Sequence, residues 1–157
     1  MIIRMAFLLA AFSILLTGIS SAGTPSENKA LVENFVKTNN ERDYDRLAEF
    51  VTDDFTRHAQ ASPSVVVTNR EQFREVVGSD TEMFPDAKTE IQQILAEGDR
   101  VAMWATYSGT PKTSVESAPS SGKKMVLELG AFFRIENDKI AEMWVTWDNA
   151  AVSRQLN

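Results

Sequence analysis

The chain reads as an α+β domain, with amino-terminal helices packed on one face of a curved antiparallel sheet. Three observations predict this. Helical periodicity with capping signals fills the region before Pro85. After Pro85 the period changes to alternation. Two tight-turn pairs, Gly98-Asp99 and Asn137-Asp138, then divide the alternating region into hairpins. Helices followed by strands, rather than alternating with them, favour α+β over a parallel sheet.

The first residues stand apart from that domain. Met1–Arg4 carries one positive charge, and Met5–Leu16 is apolar except for Ser13. Ser20-Ser21-Ala22 then offers small residues of the kind a signal peptidase reads, so residues 1–22 are expected to be a secretory signal peptide. The run is shorter than the roughly 20 apolar residues that span a bilayer. Cleavage near Ala22 would export residues 23–157 to the periplasm or the extracellular space.

The elements follow in order. Thr24-Pro25-Ser26-Glu27 has the form of a capping box with proline at the first helical position. Leu31, Val32, Phe35 and Val36 continue it at helical spacing to about Asn39. Asp43 opens a short helix with Leu47, Phe50 and Val51 on its apolar side. Asp53–Gln60 is expected to be extended and carries His58. Thr68-Asn69-Arg70-Glu71 is a second capping box, opening a helix with Phe73, Val76 and Val77 inward that Pro85 ends. Lys88–Ala96 and Arg100–Thr110 form the first hairpin, and Pro111–Gly122, rich in proline and serine, is a loop. Lys124–Glu136 and Lys139–Trp147 form the second hairpin. A plain two-residue turn there places Phe133 opposite Glu142 and Ala131 opposite Trp144. Ala141, Met143, Val145 and Trp147 would then share one face of the last strand. One sheet face is expected to meet the helices around a cavity. The other is too apolar for water, so a homodimer through the sheet is expected.

Composition narrows the function. The formal net charge of the 157 residues is −6, which disfavours nucleic acid and anionic membrane surfaces as partners. There is no cysteine, which excludes thiol chemistry, disulfides and cysteine-ligated metals. A single histidine, His58, rules out a multi-histidine metal site.

Asp148 follows Trp144 and Trp147 at the end of the last strand. There it is either a carboxyl with its pKa raised by burial beside indole rings, suited to acid–base work, or the cap of a short terminal helix. His58 is either a pocket residue or a rim residue behind Asp53-Asp54. Glu142 either joins Asp148 as a carboxylate pair or bridges to Arg134 or Lys139. Trp104, Phe133 and Trp144 are pocket walls or plain core.

The run Phe132–Asp148 followed by Arg154-Gln155-Leu156 resembles the closing hairpin of the SnoaL-like polyketide (ester) cyclases, a branch of the NTF2-like superfamily. The resemblance extends to Val32-Glu33-Asn34-Phe35, Asp43-Tyr44, Asp53-Asp54-Phe55, Gly98-Asp99-Arg100-Val101, Gly109-Thr110, Pro119 and Ser121-Gly122-Lys123. It implies a conical α+β barrel around an apolar pocket, and ring closure on a small apolar carbonyl ligand without metal or cofactor. It also implies Asp148 as general acid/base and His58 as the group that binds or polarises a substrate oxygen, while Trp104, Phe133, Glu142 and Trp144 are substrate-binding candidates by their places on the strands. The chain departs from the family at Pro111, where many relatives carry histidine. The alternative is a non-catalytic protein that uses the same fold to hold a small ligand or a partner.

Overall fold

The computed structural model describes residues 23–112 and 122–156. The expected signal peptide at residues 1–22 and part of the expected loop, including Pro119 and Ser121, lie outside the described residues.

The first helix, α1 (Pro25–Glu41), starts where the capping box put it. Glu27 N donates to Thr24 Oγ1 at 3.3 Å, and Thr24 N donates to Glu27 Oε2 at 2.7 Å. Buried Asn28 ties this end to the sheet by donating to Gly98 O at 2.9 Å. Asn40 ties down the other end, donating to Thr89 O and accepting from Thr89 N, both at 2.8 Å. A single 3₁₀ turn (Tyr44–Arg46) and the four-residue α2 (Leu47–Phe50) lead into β1 (Val51–Ala59). Then come α3 (Arg70–Met83), β2 (Lys88–Glu97), β3 (Arg100–Gly109), β4 (Met125–Glu136), β5 (Lys139–Trp147) and α4 (Asn149–Leu156). The cap of α3 is Asn69, which accepts from Gln72 N at 2.9 Å. The second capping box is therefore replaced by an asparagine cap one residue further on.

The sheet has five strands in the order β1-β5-β4-β3-β2. Four are antiparallel neighbours, as expected. The extended segment holding His58 adds a fifth, parallel to β5, with His58 opposite Trp144. The sheet is curved but unclosed.

The register of the second hairpin departs from the plain-turn expectation. Asn137 and Asp138 both take positive φ, 50° and 58°, as a tight primed turn requires. One turn later the pairing slips by a residue between Arg134 and Ile135. Phe133 consequently pairs with Met143 and Ala131 with Val145, while Arg134 faces Glu142 and Phe132 faces Trp144. The side-chain period along a strand is two, so this one-residue bulge decides which residues share a face. It puts Phe133, Met143, Ala131 and Val145 inside, and sends Glu142 and Trp144 outside.

α1 and α3 cover the inner face. Phe35 stacks on Phe73 at 5.8 Å between ring centroids, and Phe55 meets Phe73 edge-on at 4.9 Å. Phe133, Ile135, Ile140, Val101 and Met103 complete this core from the sheet. A second cluster, Phe84, Met125, Leu127 and Leu156, seats α4 across one end. There Gln155 takes the place of a neighbouring strand: its side chain accepts from Val126 N at 2.9 Å and donates to Val126 O at 2.6 Å. The face of Ala141, Met143, Val145 and Trp147, expected to need a second protomer, is the one these helices cover. The outer face keeps Trp104 and Phe132 at 46% and 41% exposure.

Candidate functional site

Between α1, α3 and the inner face of the sheet lies a cavity of about 400 Å³. Its wall is mostly apolar, formed by Phe35, Phe73, Met103, Leu129, Phe133 and Met143 among others. A pocket of this size and apolar lining, with a few polar groups, suits a small organic molecule.

The polar groups come from three elements. Asp80 projects from α3, Arg57 from β1 and Tyr107 from β3. Tyr107 donates to Asp80 Oδ2 at 2.8 Å. Beside them Thr81 Oγ1 donates to Val77 O at 3.0 Å, so the 2.5 Å contact between Tyr44 and Thr81 has the tyrosine hydroxyl as donor. The Arg57 guanidinium lies 6.0 Å from the centre of the Trp147 ring. Asn39 lines the same space from α1.

Burial dominates the electrostatics. It pushes the Asp80 carboxyl above the usual carboxylate range, with the Tyr107 hydroxyl and then Arg57 pulling it partly back. Burial also lowers the Arg57 pKa, against the attraction of Asp80. Tyr107 is raised far above an ordinary phenol by burial and by the Asp80 charge, so it acts as a fixed donor. A desolvated carboxyl held by one hydroxyl donor, with a guanidinium in the same cavity wall, is an arrangement that suits acid–base work.

Of the residues expected from the sequence, only Phe133 lines this cavity. Phe133 is 1% exposed and belongs to the core as well. The others fall on the outer side of the sheet. His58 is exposed and stacks on half-buried Trp144, ring centroids 5.0 Å apart. Glu142 faces Arg134, whose Nε lies 3.3 Å from its Oε2, and Arg134 also meets Glu136 at 2.6 Å. Trp104 and Asp148 border a shallow outer depression with Gly130 and Thr146.

The expected burial of Asp148 is corrected by its surroundings. Its side chain is 63% exposed. Oδ1 accepts from Ala150 N at 2.8 Å and Ala151 N at 3.1 Å, which makes it the cap of α4. The Ala151 N–H foremost, then that of Ala150 and the charge of Arg154, hold its carboxyl below the usual range. Asp148 and Glu142 do not form the carboxylate pair that the alternation left open.

Asp80, Arg57 and Tyr107 were within reach of the same sequence rules. Asp80 follows Val76 and Val77 by four and three residues, so helical spacing puts it on the buried stripe begun by Phe73. Arg57 alternates with Phe55, and Tyr107 with Val101, Met103 and Ala105, on the inward side of their strands. A charged group on an apolar stripe is the signal. Among the described residues no cluster of carboxylates and histidine is arranged to hold a metal ion.

Helices laid over a curved, unclosed sheet around an apolar pocket define the NTF2-like fold. The family model for SnoaL-like polyketide cyclases matches residues 29–156, and the chain belongs to that family. Solved structures with the same fold include a SnoaL-like polyketide cyclase from Agrobacterium tumefaciens, with TM-score 0.71 and 22% identity over 83% of this chain and 98% of that one. TsrD from Streptomyces laurentii superposes with TM-score 0.73 and 23% identity, covering 84% of this chain and 96% of its own. IdmH from Streptomyces antibioticus gives 0.74 and 23% over 82% and 97%. No curated protein matches the sequence.

Proposed function

We propose that the protein is a cyclase-type or isomerase-type enzyme. It binds an apolar carbonyl compound in the inner cavity and moves a proton between the substrate carbon and Asp80. The observation that carries this reading is the desolvated Asp80 carboxyl, held by Tyr107 at 2.8 Å in the wall of an apolar pocket. Asp80 takes the proton next to the carbonyl and returns it to the product. Tyr107 fixes the carboxyl in place, and Arg57 supplies positive charge to the substrate oxygen as negative charge builds on it. Membership of the cyclase family supports the reaction class.

The test uses 2-tetralone, an apolar ketone with acidic hydrogens, in D₂O. The protein should accelerate exchange of those hydrogens, followed by NMR, and Asp80→Asn should slow it by about 10²-fold or more. A wild-type rate equal to that of buffer would remove the catalytic reading.

A second reading is a non-catalytic carrier of small apolar ligands. It is favoured by β4 and β5, whose side chains in the cavity wall are all apolar: Met125, Leu127, Leu129, Ala131 and Phe133, then Met143, Val145 and Trp147. Binding of 2-tetralone without exchange would select it.

Under either reading the protein works outside the cytoplasm after cleavage near Ala22, and as a homodimer through the outer sheet face. The amino-terminal pattern supports the first. The exposed Trp104, Phe132 and Val126 support the second. Amino-terminal sequencing of the protein from its host should begin near Gly23, and an intact Met1 in soluble protein would defeat export.

A further inference from the structure

Charge from Arg57 polarises the substrate oxygen in the reading above but does not fix where that oxygen sits. Its Nη1 is closed off from the cavity, with no partner among the described residues. A hydrogen bond is directional and does fix a position. Several donors in the cavity wall are committed to holding the fold. Asn39 Nδ2 donates to Phe35 O at 2.8 Å, and Asn40 Nδ2 donates to Thr89 O at 2.8 Å. Arg42 donates to the carbonyls of Asn40, Pro85 and Ala87, Trp147 Nε1 to Asn149 Oδ1, and Tyr107 to Asp80. Turning any of these towards a ligand would take a hydrogen bond away from a carbonyl or a carboxylate.

The pair Tyr44 and Thr81 is different, because hydroxyls both donate and accept. Both residues line the cavity. Tyr44 donates to Thr81 Oγ1 at 2.5 Å, and Thr81 donates to Val77 O at 3.0 Å. Val77 lies inside α3, where its carbonyl also serves the helix ladder. When Tyr44 turns its proton to a ligand oxygen, Thr81 can turn its own proton to the Tyr44 oxygen. Two hydrogen bonds exist before and two after, and Val77 O keeps its backbone partner. A threonine donating to the phenol from behind also strengthens the bond that the phenol gives. Thr81 follows Asp80 directly in α3, so the Tyr44 hydroxyl is held by the residue next to the carboxyl that takes the proton. Thr89 lines the wall as well, but it pairs with Tyr107 across β2 and β3, at the foot of the phenol whose far end reaches Asp80.

We infer that Tyr44 is the hydrogen-bond donor to the ligand's oxygen, with Thr81 donating to Tyr44 in turn. The oxygen then takes its hydrogen bond from Tyr44 and its stabilising charge from Arg57, while Asp80 handles the proton on the neighbouring carbon. The inference rests on the pocket reading above and adds the residue that orients the ligand within it.

The experiment follows the C=O stretch of 2-tetralone, labelled with ¹³C at the carbonyl and bound to the full chain, by infrared difference spectroscopy. In wild type the band should lie at lower frequency than in hexane, and Tyr44→Phe should move it back up. Part of the shift should stay, because Arg57 is still present. Thr81→Val should move the band up by less, and Thr89→Val should leave it in place. Tyr44→Phe keeps the Thr81 bond to Val77 O, so the fold is spared. By calorimetry it should weaken 2-tetralone about fivefold, roughly one neutral hydrogen bond, and change tetralin, the same body without the oxygen, by less than about twofold. A band and affinity unchanged by Tyr44→Phe, or a band moved by Thr89→Val instead, would overturn the assignment and leave the pocket standing. A shifted band that needs Tyr44, without hydrogen exchange, would support the assignment and remove the catalytic reading. Failure of 2-tetralone to bind wild type would overturn both.

Discussion

Asp148 and Asp80 are both aspartates beside aromatic residues, and their environments drive them apart. Asp148 is exposed and held by backbone N–H groups, so its charged form is favoured. Asp80 is half-buried in the pocket wall, and that desolvation raises its carboxyl pKa from the ordinary value. The substitutions should differ accordingly. Asp148→Ala removes a helix cap and should lower the melting temperature by a few degrees, while Asp148→Asn, another good cap, should leave it nearly unchanged. Equal melts for all three proteins would show that α4 does not depend on the cap. For Asp80 the folded pKa lies above the ordinary aspartate value of 3.8. Its contribution to stability is therefore fully present below 3.8 and is lost as pH rises through the folded value. Asp80→Asn escapes that loss. Its melting temperature relative to wild type should climb with rising pH over this window, and a difference that falls with pH would contradict the burial argument.

Turns and bulges set the geometry of the elements. Gly98 joins β2 to β3 with φ 54°, and a Cβ there would meet nothing within 4 Å. A substitution at Gly98 thus tests backbone strain alone. Gly98→Ala should cost about 1 kcal/mol in urea unfolding, and Gly98→Asn less, because asparagine tolerates the left-handed region. The first hairpin turn was legible as a glycine-aspartate pair, and the second as Asn137-Asp138. The slip between Arg134 and Ile135 was not. No residue type marks it: Ile140 and Ala141 are both apolar and both buried, so either register satisfies the local pattern. That one slip moved Glu142 and Trp144 to the opposite face from Phe133.

At the scale of the whole molecule, the inner face of the sheet is covered by the chain's own helices, and among the described residues nothing covers the outer face. Trp104, Phe132 and Val126 are each more than 40% exposed on that outer face. Trp144 packs beside Phe132 there, with ring centroids 6.2 Å apart. If this face pairs two protomers, sedimentation equilibrium should give a dimer at micromolar concentration, and Trp104→Glu should yield folded monomer. A wild-type monomer at high micromolar concentration would mean that the aromatic face is solvated.

By itself the sequence determined the helices of the first half, the start of α1, both hairpin turns and the family, because capping, periodicity and turn chemistry act between residues close along the chain. It also held the signals for Asp80, Arg57 and Tyr107, as polar groups on apolar stripes. Only the tertiary structure decided which face of β5 looks inward, that Asp148 caps α4, and that the cavity gathers its polar groups from α1, β1, α3 and β3. Those outcomes depend on a one-residue bulge and on packing between elements distant in sequence. Local preference is silent on both, since the competing arrangements bury apolar residues equally well until the helices are laid over the sheet.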